Sequence, residues 1–316
     1  MAQEWDQTIF IDSSSAKTAI EQQTNLKITS IALLGQGFDN VAFLVNQEFV
    51  FRFPRRDMAI TFMENEIALL SFIADHVSFP LSSPCFIGKP SKLFPAPFAG
   101  YKKLAGISLS DMSAVLIDDV SCAKTLALWL KELHSVPVFE SHRAALKGDL
   151  SIKLQVSKGL EKSKNSLAKN NAYFLDAGFS ERELFDTIDI LKQYNFDHDK
   201  KVTFVHGDLY SKHVLVDPKN GTLTGVIDWG DVQVEHPGLD LSVACMIFSP
   251  CALALFWESY GAEKEEKSRA LFRAFNHPIM LLPYCYEHKE ENLKKWTILA
   301  LKRAIELVHE HNKLVF

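Results

Sequence analysis

The sequence predicts an α+β protein of two lobes, an N-terminal antiparallel sheet carrying one helix and a mainly helical C-terminal part. Three observations predict it. Between Leu26 and Arg56 apolar residues come in short β-branched and aromatic runs broken by turn-forming residues. Beyond Arg56, and again through much of the C-terminal half, they recur three or four apart, which is the helical period. The stretch between, SFPLSSPCFIGKPSKLFPAPFAG, holds five of the twelve prolines and so cannot be one long helix. With 316 residues, 47% of them hydrophobic and 23% charged, the chain has the composition of a folded globular protein of one large domain or two smaller ones.

The segment LKITSIALLGQGFDNVAFLVNQEFVFRFPRR gives three antiparallel strands, Ile28 to Leu34, Val41 to Val45 and Phe49 to Phe53, separated by GQG, DN and NQE. Met63, Ile67, Leu70 and Ile73, widened by Phe62, Leu69 and Phe72, then make the apolar stripe of a helix packed on that sheet. YKKLAGISLS follows the proline-rich stretch, and Gly106 ends its strand-like part, which places a hinge at 100–106 between an N-lobe of residues 1–99 and a C-lobe of residues 107–316. In the C-lobe, SCAKTLALWLKELHSV spaces Leu126, Leu130 and Leu133 as a helix face and stops before Pro137. The segments around 145–170, 180–194 and 263–310 are also helical, and the acids of EKEE, Glu263 to Glu266, are expected on a solvated helix start. The uncharged run from Leu241 to Trp257 is 17 residues long and interrupted by Pro250, so it reads as a buried core helix and not as a membrane span.

Composition excludes several classes of function. A formal net charge of −5 with scattered Lys and Arg argues against nucleic acid as a partner. The five cysteines, Cys85, Cys122, Cys245, Cys251 and Cys285, show no CxxC spacing, which fits a reducing compartment and disfavours structural zinc. MAQEWDQTIF carries acids and has no apolar core beside a basic start, so no secretory signal is read there and a cytoplasmic location is expected. The chain is expected to act as a monomer, without a membrane partner.

The chemistry-bearing residues concentrate in VHGDLYSKHVLVD and GVIDWGD. His213 lies five residues after Asp208 and Asp228 lies twenty after it, with VLVD and LTGVI as two strands between them, joined by the turn PKNGT. Taken alone, the two carboxylates read equally as caps of strand-end turns. Phosphoryl transfer, however, needs one carboxylate to orient the attacking hydroxyl and others to hold the divalent ions that neutralise the β- and γ-phosphates, and the spacing fits that division.

With these motifs the sequence resembles the protein-kinase-like fold, and within it the aminoglycoside phosphotransferase family, whose catalytic motif HGDxxxxN and later IDxxD correspond to His206, Gly207, Asp208, His213, Ile227, Asp228 and Asp231. The resemblance implies that Asp208 is the catalytic carboxylate and Asp228 the main Mg²⁺ ligand. His213 stands where the family usually has Asn; macrolide phosphotransferases look similar there, which implies a second metal ligand. GQGFDNVAF lies between two strands, where backbone amides can cover phosphates, so Gly35, Gly37 and Asn40 are nucleotide-binding candidates, with Asn40 in the slot of a third glycine and tolerant of left-handed geometry. FVFRFPRR puts Arg52 in the slot of the phosphate-binding Lys, with Glu66 of MENEIALL as its ion-pair partner, although a planar fork binds differently from a point charge. YKKLAGISL resembles the hinge of the aminoglycoside 2''-phosphotransferases, which implies that Tyr101 and Lys103 belong to the nucleotide site. The likeness runs from about Leu26 to Asp240.

The implied activity is a small-molecule kinase that moves the γ-phosphate of ATP or GTP to a hydroxyl of an aminoglycoside- or macrolide-like acceptor. A metabolite kinase of the choline, sugar or homoserine type shares the fold and machinery. From other classes come a catalytically weak nucleotide-binding protein, suggested by Arg52 and His213, and a metal-dependent hydrolase built on His206, Asp208, His213 and Asp228, which leaves the first hundred residues unexplained. His206 is expected to be a buried support that bonds backbone near Asp228, and Asp231 and Asp240 are expected to brace turns. Trp257, Tyr260, Tyr284, Tyr286, Glu287 and Trp296 fit pocket walls or core equally. His236, His288, His309 and His311 show no partner spacing.

Overall fold

Alternation of side chains across each strand builds the first sheet. The structure, a computed structural model, describes residues 8–112, 120–147, 151–196 and 201–315. Residues 1–7, on which the reading of a secretory signal partly rests, and residues 148–150 of the helical segment expected around 145–170, lie outside the described residues. By contacts the chain divides into two compact units: Met1–Ala105 with Val138–Gly148 and Gly225–Gln233, and Gly106–Pro137 with Asp149–Thr224 and Val234–Phe316. The division at Ala105 falls inside the expected hinge, but two short segments expected in the C-lobe, one of them carrying Asp228, pack with the first unit.

The first unit opens with a helix that the periodicity did not announce, α1 (Ser13–Gln23), capped by Asp12, whose carboxylate accepts from the Ser15 amide at 2.7 Å. Then come β1 (Ile31–Gln36), β2 (Asn40–Val45), β3 (Phe49–Pro54), α2 (Asp57–Ala74), β4 (Pro84–Gly88) and β5 (Phe98–Lys102), in an antiparallel sheet ordered β1-β2-β3-β5-β4. Register pairs Phe43 with Phe51 and Arg52 with Ala42 and Ala99. Because successive side chains leave opposite faces, Phe51 and Phe53 enter one core with Val41, Phe43, Phe98 and α1, while Arg52 between them faces the other way, toward α2. The Phe53 and Phe98 rings stack at 4.6 Å, and full burial of such a ring stabilises by about 1.5–3 kcal/mol.

The second unit begins at β6 (Ile107–Ser108), whose residues pair with Val216 and Leu215. Gly106, expected to end the hinge, has φ +101°, and a Cβ there would lie 2.3 Å from the Thr224 hydroxyl, so only glycine fits. Next in the chain are α3 (Val120–His134), α4 (Glu140–Ala145, packed with the first unit), α5 (Val156–Asp176), α6 (Glu181–Leu191), β7 (Thr203–Val205), β8 (Val214–Val216), β9 (Leu223–Val226), β10 (Gln233–Glu235), α7 (Gly238–Ile247), α8 (Pro250–Tyr260), α9 (Lys264–Glu287) and α10 (Glu291–Val315), with the end of β9 and the start of β10 falling in the first unit. The expected buried run is two helices, because Pro250 starts α8, and every residue of α7 is buried. Glu266 departs from the expected solvated start: it is buried, caps α9 and pairs with Lys201 at 2.6 Å. Among the described residues no helix is long and apolar enough to cross a membrane.

Candidate active site

In the first unit Arg52 connects two carboxylates. One of its terminal nitrogens, Nη1, donates to both oxygens of Glu66 at 3.1 Å, and Nη2 donates to Asp228 Oδ1 at 2.5 Å. Glu66, on the buried side of α2, has a wholly buried side chain, whereas the Asp228 side chain is 46% exposed. Burial pushes the Glu66 carboxyl up to about 7 against the pull of Arg52; burial opposes the charge of Arg52, but Asp228 and Glu66 more than restore it. Asp228 has φ 63° and ψ 63°, a left-handed conformation that is strained for a residue with a side chain. The following Trp229, buried and donating its indole N–H to the Val226 carbonyl at 3.2 Å, holds that turn in place.

The GQGFDN turn is braced by Arg55 and Arg56, the last two arginines of FRFPRR, a role that the motif itself does not show. Arg55 donates to the Gly37 carbonyl, its amide donates to the Asp39 carbonyl at 2.8 Å, and Arg56 Nε donates to Asp39 Oδ1 at 2.7 Å. Gly37 donates to the Asn40 carbonyl at 2.9 Å. Neither Gly35 nor Gly37 has a positive φ, so neither relieves backbone strain, and a Cβ on Gly35 would meet nothing within 4 Å. Asn40 is extended, not left-handed: it is the first residue of β2, opposite Pro54, and its buried Oδ1 has no hydrogen-bond partner among the described residues.

The hinge candidates are committed within the protein. Tyr101 lies in β5 between β3 and β4; its side chain, 2% exposed, packs with Met63 and Ala99 and lies with its ring centre 5.7 Å from the Arg52 guanidinium carbon. Burial and the neighbouring Glu66 hold its hydroxyl well above the ordinary range. The Lys103 amide donates to the Glu48 carbonyl at 2.7 Å, and its side chain is exposed. Tyr101 therefore packs beside the Arg52–Glu66 pair as a buried support.

In the second unit the HGD turn hangs on a buried carboxylate. Gly207 has φ 85°, which is why glycine stands between His206 and Asp208. The fully buried Asp240 accepts from the His206 amide at 2.6 Å and from the Gly207 amide at 2.9 Å, and His134 Nε2 lies 3.4 Å away. Burial raises the Asp240 carboxyl, but His134, His206 and the Gly207 amide outweigh it and hold it below its ordinary value. His206 is buried as expected of a support, and its Nδ1 accepts from the Asp208 amide at 3.2 Å.

Asp208 itself is 26% exposed, and three donors converge on one of its oxygens: Arg273 Nη2 at 3.0 Å, His277 Nε2 at 3.5 Å and Lys153 Nζ at 3.9 Å from Oδ1. Oδ2 accepts no hydrogen bond among the described residues. Burial raises the Asp208 carboxyl, but Lys153, His277 and Arg273 outweigh it and hold it well below its ordinary value. His277 is in turn pushed down to about 4 by burial and Arg273, so at neutral pH it donates as uncharged imidazole. None of these three donors was legible in the sequence, since they lie 55 to 69 residues from Asp208 and carry no motif.

His213 is buried, and its Nδ1 lies 2.8 Å from the Asp208 carbonyl. A carbonyl only accepts, so Nδ1 carries the proton of that bond, and Nε2 is the ring nitrogen that would ligate a metal. Among the described residues no group of three or more His, Cys, Asp or Glu side chains stands close enough to hold a metal ion on its own. Of the two expected metal ligands, Asp228 carries a hard oxygen donor and His213 a softer nitrogen donor.

The model of the phosphotransferase enzyme family, APH, matches residues 30–272. Over nearly its whole length the chain shares its fold with the GDP complex of wild-type aminoglycoside 2'-phosphotransferase-IIIa, at 22% identity and a TM-score of 0.67, covering 97% of this chain and 100% of that one. The apoenzyme of macrolide 2'-phosphotransferase MphH from Brachybacterium faecium is similar at 17% identity and a TM-score of 0.62, with 92% and 97% covered. The uncharacterized protein YcbJ of Bacillus subtilis (strain 168) is 36% identical over 58 residues, a match that spans 18% of this chain and only 19% of that relative's length.

Proposed function

The chain belongs to the phosphotransferase enzyme family, and on that premise we propose that it moves the γ-phosphate of ATP or GTP to a hydroxyl group of a small molecule, with an aminoglycoside- or macrolide-like acceptor as the first candidate. The observation that carries this reading is the Asp208 carboxylate, whose one oxygen faces Arg273 at 3.0 Å, His277 at 3.5 Å and Lys153 at 3.9 Å while the other accepts no hydrogen bond among the described residues. Such a group orients a hydroxyl for in-line attack. Because its proton affinity is held well below the ordinary carboxylate range, Asp208 acts mainly by aligning the hydroxyl, and takes the proton late, as a loose phosphoryl transition state allows.

The other residues take supporting roles. The backbone of the GQG turn covers phosphates, and Arg52, aimed by Glu66, contacts them with the rest of its fork. Asp228 and His213 are the ligands for Mg²⁺, which supplies neutralisation of phosphate charge when bound. Solved relatives of the same fold support nucleotide use: one holds GDP, another GDP and kanamycin, and another ATP and streptomycin.

The test is release of nucleoside diphosphate by the purified protein with Mg²⁺ and either ATP or GTP, across aminoglycosides, macrolides and metabolite alcohols such as choline and simple sugars. Acceptor-dependent release identifies both the kinase and its substrate class. If neither nucleotide binds and no acceptor stimulates release, the reading is wrong.

A further inference from the structure

α9 brings Arg273 and His277 to Asp208 from one turn apart, and the helix is fixed where it stands. The side chain of Arg273 is 13% exposed and that of His277 is 10% exposed. Two buried bonds to α5 hold the register of α9: Ser163 Oγ donates to Asn276 Oδ1 at 2.5 Å and Ser166 Oγ to the Ile279 carbonyl at 3.1 Å. On the other side of His277 the Tyr210 ring lies 4.7 Å away, and the same ring touches His213 at 4.5 Å. Lys153 completes the group and also donates to the Gly207 carbonyl at 2.9 Å, so it ties the backbone of the turn as well as approaching the carboxylate.

A carboxylate turns easily about its Cβ–Cγ bond, because that torsion is broad and two-fold. For Asp208 this freedom matters, since the acceptor hydroxyl must meet an oxygen whose direction is already set. We infer that Arg273 and His277 are positioning residues of the transfer: by loading one oxygen of Asp208 they fix the plane of the carboxylate and turn the other oxygen toward the acceptor hydroxyl. The assignment rests on the role of Asp208 proposed above. Arg273 supplies a charge-assisted bond, the stronger and more directional of the two. His277 can donate to that oxygen only through Nε2, because the oxygen it faces accepts, and so sets a second direction at the same atom. A purely structural role would leave the orientation of Asp208 unchanged when either is removed.

Two measurements decide it. A crystal structure of Arg273→Gln with a non-hydrolysable GTP analogue and Mg²⁺ should show the Asp208 carboxylate turned by more than about 30° or in two orientations. The same variant, assayed with the acceptor that gives the fastest diphosphate release, should lose about 10²-fold in kcat, the scale of a displacement of about 1 Å, while its nucleotide Kd stays within about twofold of the parent. Guanidinium added to Arg273→Ala should restore part of the lost rate, which a folding defect would not permit. Arg273→Lys, retaining the charge without the fork, should fall between. A carboxylate in the parent orientation, or a kcat within about twofold of the parent, overturns the assignment. Should Asp208→Asn keep its rate, the reading of Asp208 fails instead, and the orientation seen in the crystal still decides what Arg273 and His277 do to the carboxylate.

Discussion

Replacing Glu66 with Gln tests the balance of forces under Arg52. Glu66 is wholly buried and its carboxyl is raised from 4.5 to about 7, with burial the largest cause and Arg52 opposing. Between those two pH values the folded protein holds a proton that the unfolded chain has released, so this group's contribution to stability falls as pH rises from 4.5 to 7 and is level above that. At about 1.4 kcal/mol per pH decade, the loss comes to about 3 kcal/mol. Gln keeps the shape and an acceptor oxygen but does not titrate. Urea unfolding of both proteins at pH 5, 6, 7 and 8 should therefore show the stability of the parent relative to Glu66→Gln decreasing by about 2–3 kcal/mol across the series, since part of the loss has already occurred by pH 5, with no change in the slope against urea. The difference between the two proteins cancels the titration of every other group. Curves that run parallel would refute the reasoning, because Arg52 would then outweigh burial and keep Glu66 ionised throughout.

Asp208→Asn should cut turnover by roughly 10²–10⁴-fold while nucleotide affinity by calorimetry stays nearly intact; a parental rate would remove Asp208 from its role. Asp228→Asn should weaken Mg²⁺-nucleotide binding, and an unchanged dependence of nucleotide affinity on Mg²⁺ would count against it as a ligand. His213→Ala should raise the Mg²⁺ concentration needed for half-maximal activity by roughly tenfold or more, and no rise would make His213 a support for the Asp208 backbone only. Asp240→Ala leaves two buried amides without their acceptor, at about 1–3 kcal/mol each, and should lower the melting temperature together with turnover; loss of turnover alone would show that the latch serves the chemistry and not the fold.

Local pattern carried much of this protein's architecture. β2 and β3 match the alternation of NVAFLV and FVFRFP to within a residue, because a two-residue period survives any packing that buries one face of a sheet. β1 starts three residues later than its apolar run suggests, since its burial pattern is almost wholly exposed and pairing with β2, not burial, sets its limits. α1 was not legible because SSSAKTAIEQQ is mostly polar; only Ala16, Ala19 and Ile20 bury, and the sheet they cover is assembled from residues far along the chain. The spacing of His206, Asp208, His213 and Asp228 is likewise a local property, as is Gly207, whose left-handed backbone no other residue adopts as readily.

What the sequence by itself determined was therefore the first three strands and the helix after them, the HGD turn, and the pairing of Arg52 with Glu66, all written in short-range spacing or in a known order of motifs. Only the tertiary structure decided that Asp240 latches that turn, that Arg55 and Arg56 brace the GQG turn, and that Tyr101 is spent as a support. It alone placed Lys153, Arg273 and His277 on one oxygen of Asp208. The physical reason is that a charge acts through a few ångströms of space whatever the length of chain between partners, and no periodicity records which helix face a distant carboxylate will meet.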